Sequence, residues 1–376
     1  MRVVIVSKTF VFDAAQRQLE WLARQPDVDL TLVTPQEWRS DDGRLLPFAP
    51  RFTQGYQTHL LPVRFNGKYH FYVYRGLSAT IRELQPDIVH IDEEPYNPAG
   101  AQAQRAADRV GARSLFVVLQ NLNKTYPPPF SFLEQFNYRH TAHIVACNAS
   151  AAEVVRRKGY QGPLSTFSVY GVDPQLYSPR PRPPRHSPVV IGYIGRLVLY
   201  KGLGVLIEAL TGLPENCRLR LVGSGPDKDE LERIARDLEV ADRVEFAPAV
   251  AATDVPDVLR DMDIFALPSL TQPNWKEQFG RVLIEAMGCG VPVVGSDSGE
   301  IPHVVGDAGV ITPEGNVTAL REALAALVGD PARRQALAER GRARVLAHYT
   351  QEQVARDIHG VYREMLAGRR DERSHV

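Results

Sequence analysis

At 376 residues and 41.9 kDa the chain is roughly two to three times the usual domain size, which predicts two domains of near-equal weight, each with its own core. Hydrophobic residues at 44% and charged residues at 23% exclude a disordered, collagenous or coiled-coil chain, and three scattered cysteines (Cys147, Cys217, Cys289) support neither a disulfide framework nor a thiolate zinc site, so a reducing cytoplasm is the expected compartment. The 44 basic and 44 acidic side chains cancel, which removes bulk attraction to nucleic acid, yet residues 1–185 carry 22 basic and 16 acidic groups (net +6) and residues 186–376 carry 22 and 28 (net −6).

In chain order, Arg2 precedes only Val3–Val6 before Ser7 and Lys8, too short for a secretory apolar region, and no later run is long enough to span a bilayer. Strands are predicted near 3–7, 29–34, 59–65, 87–92, 114–119 and 143–148, with helices at Ala14–Ala23, Tyr74–Leu84, Pro98–Val110, Phe130–Arg139 and Ala151–Lys158 between them. Ser150 and Glu153 have capping-box spacing at the start of the last helix. Residues 179–188 hold too many prolines for a helix or an inner strand and read as the interdomain linker.

The rhythm then restarts, with strands near 189–194, 217–222, 243–247, 264–267, 291–295 and 309–312, and closing helices at Pro331–His348 and Gln351–Leu366. The polar tail 368–376 is expected to fray. Short strands alternating with helices mean α/β domains with parallel sheets, whose ligands sit beyond the carboxyl ends of the strands. The loops after strands are therefore where chemistry belongs.

The loop after the first strand, Ser7–Asp13, has no glycine, which disfavours a dinucleotide fingerprint. By contrast, Ile194 leads into Gly195-Arg196-Leu197-Val198-Leu199-Tyr200-Lys201-Gly202, where a guanidinium and an ammonium flank a turn that opens a helix. Arginine forks onto phosphate, lysine adds a mobile charge and the helix start adds free N–H groups, a combination suited to a diphosphate. The alternative is two surface charges beside a turn. Farther on, Glu277 in a loop and Glu285 on the following helix can face one ligand at separate points, and a carboxylate accepts well from vicinal hydroxyls. Read singly, each is a capping or solvated glutamate.

Gly195-Arg196-Leu-x-x-x-Lys201-Gly202, Leu221-Val-Gly-Ser-Gly-Pro226, Glu277-x7-Glu285-Ala-Met-x-x-Gly-x-Pro-Val and Ser296-Asp-Ser-Gly-Glu-Ile-Pro302 together resemble glycosyltransferase family 4, and Asp87-Ile-Val-His90 and Tyr170-Gly-Val-Asp173-Pro add looser support. That resemblance implies a retaining enzyme of GT-B architecture, with two Rossmann-like domains and parallel sheets facing across a cleft. The domains implied are 1–185 for the acceptor, 186–350 for the nucleotide sugar, and a helix and tail over 351–376 packing back toward the first. It implies a nucleotide diphosphate sugar as donor, UDP-linked in the first instance and GDP-linked in the second, a glycan, lipid-linked or small-molecule hydroxyl as acceptor, and no cofactor or metal.

By the same resemblance Gly195, Arg196 and Lys201 hold the donor diphosphate and Glu285 the ribose, while Glu277, with the backbone of Phe279 and Gly280, contacts the transferred sugar and Val282 is a further donor-binding residue. Backbone around Phe246–Val250, ending at Val250, reads the base. Glu277, Arg196 and Lys201 carry the catalysis, by stabilising charge as the anomeric bond breaks. Retention in the family is explained by front-face attack, with the leaving phosphate taking the acceptor's proton.

The chain departs from the family in three places. It lacks a glycine pair in its first loop, has Gln120-Asn121-Leu122-Asn123 where a histidine is common, and carries a longer insertion, Thr271–Trp275, that presents Trp275 either to a ligand or to its own core. On the acceptor side Glu94, Gln120 and Asn121 are the candidates, with His90 packed beneath them. Arg64–Arg75 mixes basic and aromatic residues suited to a lipid interface, a stacked sugar or a plain loop. The rival functions are a nucleotide-sugar epimerase of the same fold and a catalytically silent sugar-binding subunit.

Overall fold

The computed structural model describes residues 1–40, 43–180 and 188–374. Two compact units emerge, one formed by Met1–Val169 with Gln351–Val376 and the other by Tyr170–Thr350. Seven strands build the first sheet: β1 (Arg2–Val6), β2 (Asp29–Pro35), β3 (Tyr56–Leu61), β4 (Ile88–Ile91), β5 (Arg113–Val118), β6 (His143–Ala146) and β7 (Leu164–Thr166). Their spatial order is β7-β6-β5-β4-β1-β2-β3, every neighbouring pair parallel.

Period-two alternation decides which face each strand residue covers. Val4 and Val6 of β1 enter one core with Val89, Ile91, Phe116 and Val118, while Val3 and Ile5 enter the other with Ile88, Leu115 and Val117. The first face is covered by α2 (Leu77–Leu84), α3 (Pro98–Val110) and α5 (Ala149–Arg157), through Leu77, Ile81, Ala103, Ala107, Ala151 and Val155. The second is covered by α1 (Asp13–Ala23), through Leu19 and Leu22, and by the last helix, Gln351–Ser374, through Val354, Ile358, Val361, Tyr362 and Met365. A further helix, α4 (Phe130–His140), precedes β6. The closing helix thus belongs to the first unit's core, and it continues past the point where the polar tail is expected to fray.

The second unit repeats the plan with β8 (Val189–Ile194), β9 (Cys217–Val222), β10 (Val244–Ala247), β11 (Ile264–Leu267), β12 (Val293–Ser296) and β13 (Val310–Thr312), in the order β10-β9-β8-β11-β12-β13 and again all parallel. Its helices are α6 (Leu203–Leu210), α7 (Lys228–Asp237), α8 (Val255–Arg260), α9 (Arg281–Gly288), α10 (Ile301–Val305), α11 (Val317–Val328) and α12 (Pro331–His348).

Local expectations needed three corrections. The cap of α5 is Asn148, whose side chain accepts from Ala151 N at 2.8 Å. Ser150 therefore lies inside the helix, and Glu153 pairs with Arg157 at 2.5 Å instead of closing a capping box. The strand expected at 59–65 is β3 plus a separate two-residue hairpin arm, Val63–Arg64, paired antiparallel with Val73–Tyr74. The partner arm Val73–Tyr74 takes the start of the expected 74–84 helix, and Gly76 caps α2 instead.

Of the proline-rich stretch expected as the linker, residues 181–187 lie outside those described. The segment before it is already tied to the second unit, since Arg260 donates to the carbonyls of Ser178 at 2.8 Å and Leu176 at 2.5 Å, and Arg342 to that of Pro174 at 2.8 Å.

Candidate functional site

In the second unit the loops at the carboxyl edge of the sheet are knitted to one another by their backbones. Gly195 N donates to Val222 O at 3.0 Å, Leu197 N to Ser224 O at 2.9 Å, and Gly223 N to Ala247 O at 3.0 Å, joining the exits of β8, β9 and β10. Leu270 N donates to Tyr200 O at 2.8 Å and brings in the exit of β11. At Gly202, φ is +74° and a Cβ would lie 1.7 Å from the Pro268 carbonyl oxygen. Only glycine permits that approach, which fixes the short helical turn holding Lys201 against the β11 loop.

Lys201 reaches across this junction. Its Nζ lies 2.7 Å from Glu277 Oε2, and Ser269, fully buried at the end of β11, donates to the same oxygen at 2.9 Å. The Trp275 ring lies under the ammonium, 4.7 Å from its centroid, and the Tyr200 ring is 4.4 Å from Trp275. Glu277 is itself held through its backbone, for its carbonyl accepts from Glu300 N at 3.2 Å and a Cβ on Gly299 (φ +58°) would sit 2.0 Å away. Arg196, by contrast, is exposed and joins no ion pair among the described residues.

Gly280 caps α9, and the buried Phe279 packs its ring on Tyr170 (5.1 Å) and Tyr349 (5.8 Å). In the second turn of α9, Glu285 accepts from Arg281 Nε at 2.8 Å and from Tyr177. Burial raises its pKa, and Arg281 and Tyr177 pull the other way. Val282 and Val250 are half-buried, on α9 and in the loop after β10. No group of three or more His, Cys, Asp or Glu side chains is placed to hold a metal among the described residues. Asp227 and Asp263 are engaged with backbone: Asp227 accepts from Leu199 N at 2.8 Å and Asp263 from Val190 N at 2.8 Å.

In the first unit the glycine-free loop after β1 is closed against the carboxylates that follow β4. Lys8 Nζ pairs with the buried Glu93 at 2.7 Å, Tyr72 donates to Glu93, and Ser7 donates to Asp92 at 2.6 Å. Glu94 Oε1 accepts from the backbone N–H groups of Leu119 and Gln120, both at 2.9 Å; burial nevertheless pushes its pKa up to about 7. Gln120 is spent within its loop, donating to Tyr126 at 3.2 Å and accepting from Leu122 N at 3.1 Å, and Asn121 is buried. His90 packs beneath, 2.6 Å from the Tyr362 hydroxyl, with burial lowering its pKa to about 4.

Comparison with known proteins bears on both units. The family model "Glycosyl transferase 4-like domain" matches residues 13–165 and "Glycosyl transferases group 1" matches residues 178–344. The lipopolysaccharide core biosynthesis glycosyltransferase LpsE of Rhizobium meliloti is 30% identical over 250 residues, covering 65% of this chain and 68% of LpsE. The chain belongs to the family-4-type glycosyltransferases.

The GDP-mannose-dependent alpha-(1-6)-phosphatidylinositol monomannoside mannosyltransferase of Mycolicibacterium smegmatis is 36% identical to this glycosyltransferase over 194 residues, 50% of the chain and 49% of that protein. The match thus spans about half the length of that relative. Among solved structures, Anabaena HepE in complex with UDP superposes with a TM-score of 0.74 at 17% identity, covering 97% of this chain and all of HepE, a likeness of fold that makes the architecture GT-B.

Of the residues singled out in the sequence, the glycosyltransferase brings Lys201 and Glu277 into direct contact and places Glu285 apart, with partners of its own. Sequence reasoning missed Ser269, Arg281 and Tyr177. Arg281 was open to it, because a basic residue four positions before Glu285 on one helix meets it. Tyr177 and Ser269 come from distant segments and leave no such signal.

Proposed function

We propose that this glycosyltransferase moves a hexose from a nucleoside diphosphate sugar to a hydroxyl acceptor with retention at the anomeric carbon, without a metal. The observation that carries the reading is the exposed Arg196, which joins no ion pair among the described residues, beside the Lys201–Glu277 pair on loops joined at the carboxyl edge of one parallel sheet. Breaking the anomeric C–O bond builds negative charge on the diphosphate and positive charge on the sugar. Arg196 and Lys201 answer the first, and Glu277 the second. With two protein cations on the leaving group, the departing phosphate oxygen can take the acceptor's proton and no protein base is required.

The donor nucleoside is uridine or guanosine. HepE was crystallised with UDP and glucose, and the mycobacterial relative is named for GDP-mannose. The test is to incubate the enzyme with UDP- and GDP-hexoses in EDTA and measure released nucleoside diphosphate. Release from at least one donor is expected. Activity that appears only when magnesium or manganese is added would contradict the metal-free part of the reading.

For the acceptor we propose a lipid-linked or membrane-borne hydroxyl, with the first unit touching the bilayer. What supports this is the hairpin 63–74 and its surroundings, where Phe65 is 64% and Phe71 56% exposed, and Phe132, near Phe71's ring partner Phe130, is 70% exposed. Residues 43–82 contain six Lys or Arg and not one Asp or Glu, so the exposed Arg64, Lys68 and Arg75 meet no acidic neighbour in sequence. Exposed aromatics interleaved with cations suit an anionic interface. Sedimentation with vesicles is expected for phosphatidylglycerol and not for phosphatidylcholine, and to fall several-fold in Phe65→Ser/Phe71→Ser. Equal partition of that variant would remove the hairpin from the contact.

A further inference from the structure

The insertion 271–275 is built to hold one side chain. Gln272 N donates to Trp275 O at 2.7 Å and Trp275 N to Gln272 O at 3.2 Å, closing a tight turn over Pro273 and Asn274. Its root is fastened on two sides, through the Leu270–Tyr200 backbone bond to the loop after β8 and through Thr271 Oγ1, 3.0 Å from Ser298 Oγ, to the loop after β12. Thr271 N also donates to Glu314.

Trp275 so placed does not fill the core. It is half-buried, and neither it nor Tyr200 belongs to the hydrophobic cluster of the second unit. Its ring contacts are Tyr200 and the Lys201 ammonium. We propose that Trp275 is a positioning residue for Lys201, holding the ammonium where a donor diphosphate must meet it; this rests on the donor-site reading above.

Lysine's charge sits on a flexible four-carbon stem, and ordering that stem costs rotamer entropy on binding unless something has already fixed it. Glu277 fixes it but also cancels its charge. The indole face attracts the ammonium through its quadrupole and adds no formal negative charge, so it orders Lys201 and leaves the positive charge for phosphate. The Lys201 side chain is only 19% exposed, with the ring against its ammonium, and a cation shielded from water acts more strongly on developing charge. Tyr200 backs the indole and keeps it from rotating away.

The full-length Trp275→Phe and Trp275→Leu variants, each also combined with Lys201→Met, separate this role from a structural one. UDP and GDP affinity is measured by calorimetry, kcat and KM with the active donor, and folding by circular dichroism. Trp275→Leu is expected to weaken nucleotide binding and kcat/KM roughly three- to tenfold, and Trp275→Phe, which keeps a π face, to recover most of the loss. In the Lys201→Met background Trp275→Leu should cost nothing further.

Fluorescence gives an independent readout, because only Trp21, Trp38 and Trp275 emit. Nucleotide should change the emission of the wild type and not that of Trp275→Phe. A Trp275→Leu enzyme equal to wild type, or one that loses as much in the Lys201→Met background, would overturn the proposal alone. A wild type that binds neither UDP nor GDP would overturn the donor site, and this inference with it.

Discussion

Arg196→Ala and Lys201→Ala are each expected to lower kcat/KM by about 10²–10³, the usual loss when one fixed donor to developing charge is removed. Their effects on folding should differ. Arg196 is exposed and joins no ion pair among the described residues, so its removal strands no described partner and Tm should hold. Lys201 is the ion-pair partner of a carboxylate that is only 9% exposed, so its removal should also cost about 1–3 kcal/mol of stability, read as a fall in Tm. Steady-state kinetics and thermal melts on both variants make the comparison. Near-normal turnover in either would withdraw that residue from the diphosphate.

The second large effect divides Glu277 from Glu285. Glu285→Gln weakens the bond to Arg281, on a part of the site assigned to the ribose, which changes little during reaction. Donor affinity should fall more than kcat. Glu277→Gln removes the group assigned to the transferred sugar, so kcat should fall by about 10² or more. The Lys201–Glu277 contact adds a sharper expectation. In the empty enzyme Glu277 competes with phosphate for Lys201, so its neutral variant should bind the free nucleoside diphosphate normally or more tightly. Calorimetry with UDP and GDP decides it. Lost nucleotide affinity in Glu277→Gln, with only kcat lost in Glu285→Gln, would mean that the roles are reversed.

Much of this was legible in the sequence because the signals are local. β-Branched runs such as Val3–Val6 and Val189–Ile194 alternate with helical periods, and the Arg196–Lys201 and Glu277–Glu285 spacings lie within single loop-to-helix junctions. What escaped is non-local. Nothing in the sequence says that Lys201 and Glu277 touch, since the contact depends on Gly202 fitting under Pro268 and Gly299 under Glu277. The prolines of 179–188 draw the eye as a boundary, while the attachment of 174–178 to the second unit is made by Arg260 and Arg342, far along the chain. Asn148 rather than Ser150 caps α5 because an earlier capping residue was available and the helix began there.

The proposed reaction moves sugar from a nucleoside diphosphate to an acceptor hydroxyl at the loops of the second unit. Mass analysis of one reaction, containing the active donor and a panel of lipid-linked, glycan and small-molecule acceptors, tests it most directly. Equal amounts of nucleoside diphosphate and of an acceptor heavier by one hexose residue are expected, both lost in Lys201→Ala. A donor that is isomerised with no acceptor consumed, or a donor left untouched across the whole panel, would contradict it.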